Sequence, residues 1–210
     1  KYNLEKALSH IDKEIKIKNQ DNLLNSLSLK LSIFEEIGES ADIIKLSSQI
    51  LKSFPNNERA LYSRAIAYEK EANILSMSKD FDKMIKLNKY NSIALNAYGY
   101  SLALQNLHLD KSEKLIRKAL DIRPGQAAIL DSLAWVLYLK GSYKEAAKYS
   151  SLAYSKDQDP EIVEHHYLIL LKNGNSNEAK YILNQSIKNN PNSEKLLKLL
   201  DNSKNAAIKL

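Results

Sequence analysis

The chain repeats itself. The block AAILDSLAWVLYLKGSYKEAAKYSSLAYSKDQ begins at Ala127, PEIVEHHYLILLKNGNSNEAKYILNQSIKNNP follows from Pro160, and SIALNAYGYSLALQNLHLDKSEKLIRKALDIRP precedes it from Ser92. Two earlier blocks, ERALYSRAIAYEKEANILSMSKDFDKMIKLNK from Glu58 and LNSLSLKLSIFEEIGESADIIKLSSQILKSFP from Leu24, continue the pattern at a spacing of about 34 residues. Each block reads as a helix, a turn and a second helix. One such pair cannot bury its apolar face, so the blocks must stack on one another to make a core. A period of this length predicts an all-α chain.

Composition excludes the main alternatives. With 5 Gly and 4 Pro in 210 residues there is little material for β-turns or linkers, and no GxGxxG, P-loop or G-x-S-x-G is present. The absence of Cys removes disulfides, thiol catalysis and thiolate metal sites. The net charge of +6 comes almost wholly from lysines interleaved with Glu, Asp and Asn; the arginines are Arg59, Arg64, Arg117 and Arg123. Arginine is the better reader of phosphates and bases, so no nucleic-acid partner is expected. No apolar run approaches the roughly 18 residues of a membrane span. The chain begins with Lys inside a pattern, so a missing N-terminal portion carrying any targeting signal is expected.

The blocks resemble the tetratricopeptide repeat, TPR, residue by residue. The large residue at the fourth position is Leu27, Leu61, Leu95, Leu130 and Val163. The small residue where the two helices meet is Ala65, Gly99 and Ala134; the second helix supplies Ser112, Ala146 and Ala179, then Ala119, Ala153 and Ser186. Pro55, Pro124 and Pro191 close repeats. Leu31 and Tyr167 depart from the pattern at the small position, as do Lys89 and Gln158 at the proline, and altered packing angles are expected there. The resemblance implies a right-handed α-solenoid, a single domain over 1–210. Its expected parts are a partial repeat (1–20), repeats at 21–57, 58–91, 92–126, 127–159 and 160–192, and a capping helix (193–210). Leu4, Ala7, Leu8, Ile11 and Ile15 have the spacing of a second helix, Glu194 to Leu200 that of a covering helix, and the last residues are expected to fray.

In this family the first helix of each repeat lines a concave groove. The groove positions hold Tyr62, Ile66 and Glu69, then Asn96 and Tyr100, then Asp131, Trp135 and Tyr138, and finally Leu168. Trp135, the only tryptophan, follows Ala134 by one residue, which turns it toward the groove; packing against the neighbouring first helix is the alternative. Aromatic anchors ringed by polar side chains suit recognition of a peptide or a partner's helix. The positions where some family members clamp a carboxylate with lysine and asparagine hold Ser28, Ser32, Ser63, Ala128 and Ser132, so that clamp is not expected.

Little points to chemistry. His165 and His166 are adjacent, and neighbours on a helix point about 100° apart, so they cannot easily share a metal; groove-edge polarity and core packing account for them. Asp157, Asp159, Glu161 and Glu164 flank Pro160 and read as a solvated connection with charges favoured at a helix N-terminus. No pocket gathering carboxylates for acid–base work is expected in a solenoid. The expectation is a protein with no cofactor, no metal and no catalytic residues.

The run from Leu95 is more specific. It is similar to the C-terminal repeats of TPR lipoproteins of Gram-negative bacteria, sharing Asn96, Gly99, Tyr100, Asp131, Ser132, Trp135, Val136, Tyr138, Gly141, Asp159, Pro160, Glu161 and His165, together with an insertion before Ser112. That resemblance implies a scaffold on the periplasmic face of the outer membrane, held by a lipid anchor in a missing N-terminal segment. Its implied role is an adaptor for a carboxyl-terminal processing protease and cell-wall hydrolases. A cytoplasmic regulatory or assembly protein of the same fold, with an unrelated partner, is the alternative.

Overall fold

A computed structural model describes residues 2–16 and 20–207, with side chains described for 6–13 and 23–203. Among these residues every regular element is an α-helix: α1 (Tyr2–Lys16), α2 (Gln20–Ile37), α3 (Ser40–Ser53), α4 (Glu58–Lys70), α5 (Ile74–Leu87), α6 (Ser92–Leu104), α7 (Leu109–Ile122), α8 (Ala127–Leu139), α9 (Tyr143–Lys156), α10 (Pro160–Lys172), α11 (Ser176–Asn189) and α12 (Glu194–Ala207). The chain divides into two compact units, 1–94 and 95–210.

In the first unit Leu27 and Leu31 of α2 pack with Ile43, Leu46 and Ile50 of α3 and with Ala60 and Ala67 of α4. Leu31 stands where a small residue was expected and is fully buried, as a core leucine. Asn57 starts α4 by accepting a hydrogen bond from the Ala60 amide at 2.8 Å, and Asn73 starts α5 by accepting from Ser76. Arg64 of α4 makes a two-pronged pair with Asp80 of α5 (2.7 and 2.8 Å) and donates to Ser48 of α3, so one guanidinium ties three helices together. Ile11 of α1 is buried; Leu4 and Ile15 lie outside the described side chains.

The second unit follows the same rules. The expected large residues Leu95, Leu130 and Val163 are buried, as are Ala134, Ala146, Ala153 and Ala179. Gly99 makes the closest approach: a Cβ there would lie 2.5 Å from Ile116 Cγ1 and 2.9 Å from the Ser112 carbonyl oxygen. The Ser112 hydroxyl donates to the Gly99 carbonyl at 2.6 Å, so α6 and α7 meet through glycine and serine. On the other side of these helices, Arg117 bridges Glu113 and Glu145, and Lys140 pairs with Asp110 and Glu113, all at 2.6–2.8 Å. Glu113 is pushed up by burial, but the bonds from Lys140 and Arg117 outweigh this and hold it below the ordinary carboxylate range.

Helix α12 closes the unit. Leu196 and Leu199 pack with Val163, Tyr167 and Leu170 of α10 and with Ala179, Ile182 and Leu183 of α11. Each buried leucine contributes about 1.5–3 kcal/mol, enough to hold a short helix against a preformed face. The helix runs past the expected Leu200 to Ala207, so residues 204–207 of the 204–210 stretch expected to fray are helical, and 208–210 lie outside the described residues.

Candidate functional site

The first helices α6, α8 and α10 of the second unit place an aromatic stack beside an acidic recess. Trp135 of α8 is half-buried, its ring stacked on His165 of α10 (centroids 4.1 Å apart, planes 16° apart) and on Tyr138 one turn along (5.0 Å, 14°). Tyr143 meets Tyr138 at 5.6 Å, and Tyr100 of α6 reaches the other edge of His165 at 6.2 Å. Two aromatic side chains, Trp135 and Tyr100, thus meet one buried imidazole, and Tyr138 and Tyr143 continue the row from Trp135. Trp135 is neither fully in the core nor fully in solvent: its ring is stacked on His165 and Tyr138 while part of the side chain stays exposed.

His165 is fixed from below. Its Nδ1 shares a 2.8 Å hydrogen bond with Asp131 Oδ2, and both side chains are buried, Asp131 being only 5% exposed. Asp131 was expected among the polar groups ringing the groove; it sits instead beneath the surface, where it orients the histidine. Burial pushes its carboxyl above the ordinary carboxylate range, against the pull of His165 and with help from the charges of Glu161 and Asp159. His166 points elsewhere: its Nδ1 lies 2.9 Å from the Ser150 hydroxyl and its ring packs on Tyr154. The two histidines reach different neighbours, Asp131 on α8 and Ser150 on α9, as directions about 100° apart allow, and among the described residues no cluster of His, Asp and Glu is arranged to hold a metal ion.

Next to the stack lies a recess of about 380 Å³. Helix α6 contributes Asn96 and Tyr100, and α8 contributes Ala128, Asp131 and Ser132. The α9–α10 connection and the start of α10 add Asp157, Asp159, Glu161 and Ile162. The expectation that no pocket gathers carboxylates is therefore corrected. The acidic stretch around Pro160 does cap a helix, Asp159 accepting from the Glu161 amide at 2.9 Å, but the same turn swings its carboxylates over Asp131. The Tyr100 hydroxyl donates to Glu161 Oε1 at 2.7 Å, joining the recess to the aromatic stack.

The remaining expected groove residues fall in two places. Leu168 is half-buried and packs against the core shared with α12, since its position on α10 faces the closing helix. Tyr62, Ile66 and Glu69 lie on α4 in the first unit, all half-buried. Tyr62 sets its ring edge-on to Phe81 at 6.2 Å, and burial, then the charges of Glu69 and Glu35, push its hydroxyl up. Around it Arg59 pairs with Glu35 at 2.9 Å and donates to Ser32, while the Ser63 hydroxyl donates to Glu35, so polar groups of α2 and α4 satisfy one another. His165 is the site residue that sequence reasoning did not select, although it stood among the residues shared with the lipoprotein repeats.

Paired helices with these small-residue contacts define a protein of the tetratricopeptide repeat fold. The chain is 35% identical over 115 residues to the TPR repeat-containing protein PA4667 of Pseudomonas aeruginosa, a match covering 55% of this chain and 20% of that protein. The chain thus spans about a fifth of its relative's length. Among solved structures it is similar to the TPR protein TTC0263 of Thermus thermophilus (TM-score 0.75, 17% identity, 89% of this chain and 100% of that one). It is also similar to Pseudomonas aeruginosa PilF (0.70, 16%, 95% and 90%) and to a tetratricopeptide repeat protein of Parabacteroides merdae (0.75, 15%, 88% and 73%). No protein-family model matches the chain.

Proposed function

We propose that the chain is a non-catalytic scaffold that holds peptide or helix segments of other proteins against the first helices of its repeats. The observation that carries this reading is the stack of Trp135, Tyr138 and His165, half-open and rigidly supported from below by Asp131. A protein that kept these rings only for stability would gain more by burying them fully. Left partly open, and fixed so that little entropy is lost on binding, they have the character of an interaction hot spot.

The finer role we propose is a periplasmic adaptor at the outer membrane, bringing a carboxyl-terminal processing protease to substrates such as cell-wall hydrolases. What supports it is the resemblance of the run from Leu95 to the C-terminal repeats of TPR lipoproteins of Gram-negative bacteria; the likeness to the Pseudomonas aeruginosa TPR repeat-containing protein supports the repeat fold alone. No described helix is long and apolar enough to cross a membrane, so in this reading attachment is through a lipidated segment encoded upstream. A gene start without a signal peptide ending in a lipidated cysteine would overturn the location and favour a cytoplasmic assembly role.

The test of the scaffold role is affinity capture from the native cell, with wild type compared against Trp135→Ala and Tyr138→Ala. Truncating a hot-spot aromatic costs roughly 2 kcal/mol of binding, so specific partners should drop out while circular dichroism still reports helix. Partners retained equally by wild type and both variants would sink the assignment of the stack.

A further inference from the structure

The acidic recess has a chemistry that the aromatic stack does not explain. Two of its lining residues carry a buried oxygen with no hydrogen-bond partner among the described residues, Asp131 Oδ1 and Asn96 Oδ1. Leaving such an acceptor unpaired is costly, and one of the two belongs to a carboxylate that is 5% exposed. Above them stand Asp157, Asp159 and Glu161, and no lining side chain is basic. The cation nearest to any of them among the described ion pairs is Lys195, 3.9 Å from Glu161 and closer, at 3.1 Å, to Glu164. On a chain of net charge +6 this is a concentrated patch of the opposite sign.

We infer that this recess takes the guanidinium of an arginine on the bound protein segment, which it would hold by Asp131 Oδ1 and Asn96 Oδ1 below and by the three carboxylates around the mouth. The inference rests on the scaffold reading and names the partner's anchor residue. A guanidinium offers five N–H donors in a planar fork, enough to satisfy acceptors presented from two helices at once, whereas a lysine ammonium is a compact point donor. Tyr100 in the wall adds an aromatic ring, a group that attracts a flat cation. The volume, about 380 Å³, exceeds what a single metal ion would occupy and admits a side chain with some of its backbone. Burial also disfavours the charged form of Asp131, and an incoming cation relieves that cost. Because Tyr100 touches both Glu161 and His165, an arginine seated here leaves the adjacent residues of its segment lying across Trp135 and Tyr138.

The full chain, isotopically labelled, is titrated by NMR with N-acetyl-arginine methylamide, its neutral citrulline isostere, the lysine analogue, spermidine and calcium chloride. Arginine should shift the side-chain amide of Asn96 and the backbone amides of Asp131 and Glu161 at roughly millimolar concentration, as expected for so small a ligand. The citrulline isostere should bind about tenfold more weakly, the order of a lost charge-assisted hydrogen bond, with lysine in between. Asp157→Asn, at an exposed position, should weaken arginine binding several-fold with an unchanged melting temperature; Asp131→Asn should abolish it. Equal binding of citrulline, shifts centred elsewhere, or stronger binding of calcium or spermidine would overturn the proposal. If a captured protein partner is indifferent to Asp157→Asn and to added arginine, the recess is not its anchor and the scaffold role stands. If arginine binds but no protein is captured, the scaffold role and this occupant both fail.

Discussion

Ala72 holds a φ of 52°, a left-handed backbone conformation that costs a residue with a Cβ roughly 1–2 kcal/mol. At the same turn of other helix pairs the chain places Gly38, Gly141 and Gly174, with φ near 80°, and Asn106 with φ 52°. Ala72 is exposed and has no packing to lose, so Ala72→Gly should raise stability by about 0.5–1 kcal/mol once glycine's greater freedom in the unfolded chain is deducted. Urea unfolding of the two proteins side by side checks this, and a lower midpoint for the variant would refute it. The contrast with Trp135 says what a repeat pattern can convey. The register of α8 put Trp135 one residue past the buried Ala134, and the side chain there is half-buried. It could not say that His165, on the next first helix, would lie flat against it, because that contact depends on the separation and rotation of two helices. Nor could it say that Asp131 would face down into the histidine; a polar residue at a groove position reads the same whether it points out or under.

At the scale of helix pairs the period was fully informative about contacts and silent about recesses. Gly99 shows why the first holds. The α6–α7 approach is set by the smallest residue in the crossing, and small residues recur at fixed positions in each block. A methyl group at Gly99 would meet Ile116 Cγ1 and, at 2.9 Å, the backbone oxygen of Ser112, which cannot rotate away. Alanine's better helix propensity is worth ~1 kcal/mol, and overpacking of this kind costs ~1–3 kcal/mol, so Gly99→Ala should destabilise by up to about 2 kcal/mol net. Ile116→Ala removes the Cγ1 and Cδ1 atoms that clash, so Gly99→Ala should cost less in an Ile116→Ala background than in the wild type. If Gly99→Ala is neutral, the helices can part more easily than their 2.6 Å serine–carbonyl bond implies. The recess is illegible for a related reason. It forms where a loop, the turn of Asp157 to Asp159, leans over two helices, and loop direction is set by capping geometry that the repeat does not encode.

The molecule as a whole carries more bases than acids, 31 against 25, so acidification adds positive charge to a chain already positive. On that background particular groups titrate in separable windows. His166 is held below its ordinary value of 6.5 by burial, with the distant charge of Glu178 pulling weakly the other way. Its neutral form is therefore favoured in the folded state, and the unfolded chain takes up the proton first as pH falls. Stability is lost as pH falls through that ordinary value. Asp110 and Glu113, held low by their bonds to Lys140, also lose their contribution on acidification, but only below the ordinary carboxylate range. Asp131 runs opposite: with a raised folded-state value, its burial weighs on the fold least in acid and most as pH rises through that value. The expected profile is a fall in melting temperature that begins between pH 7 and 6, before the contributions of Asp110 and Glu113 are lost. His166→Gln should flatten that first limb and leave the carboxylate limb in place. Trp135 lies in the same compact unit as His166 and is the only tryptophan, so its emission during thermal unfolding reports on the unit concerned. Repeating the scans at high salt separates the two causes: general charge repulsion is screened, whereas a proton taken up by a buried imidazole is not. A first limb that survives His166→Gln and vanishes in salt would assign the acid response to net charge alone.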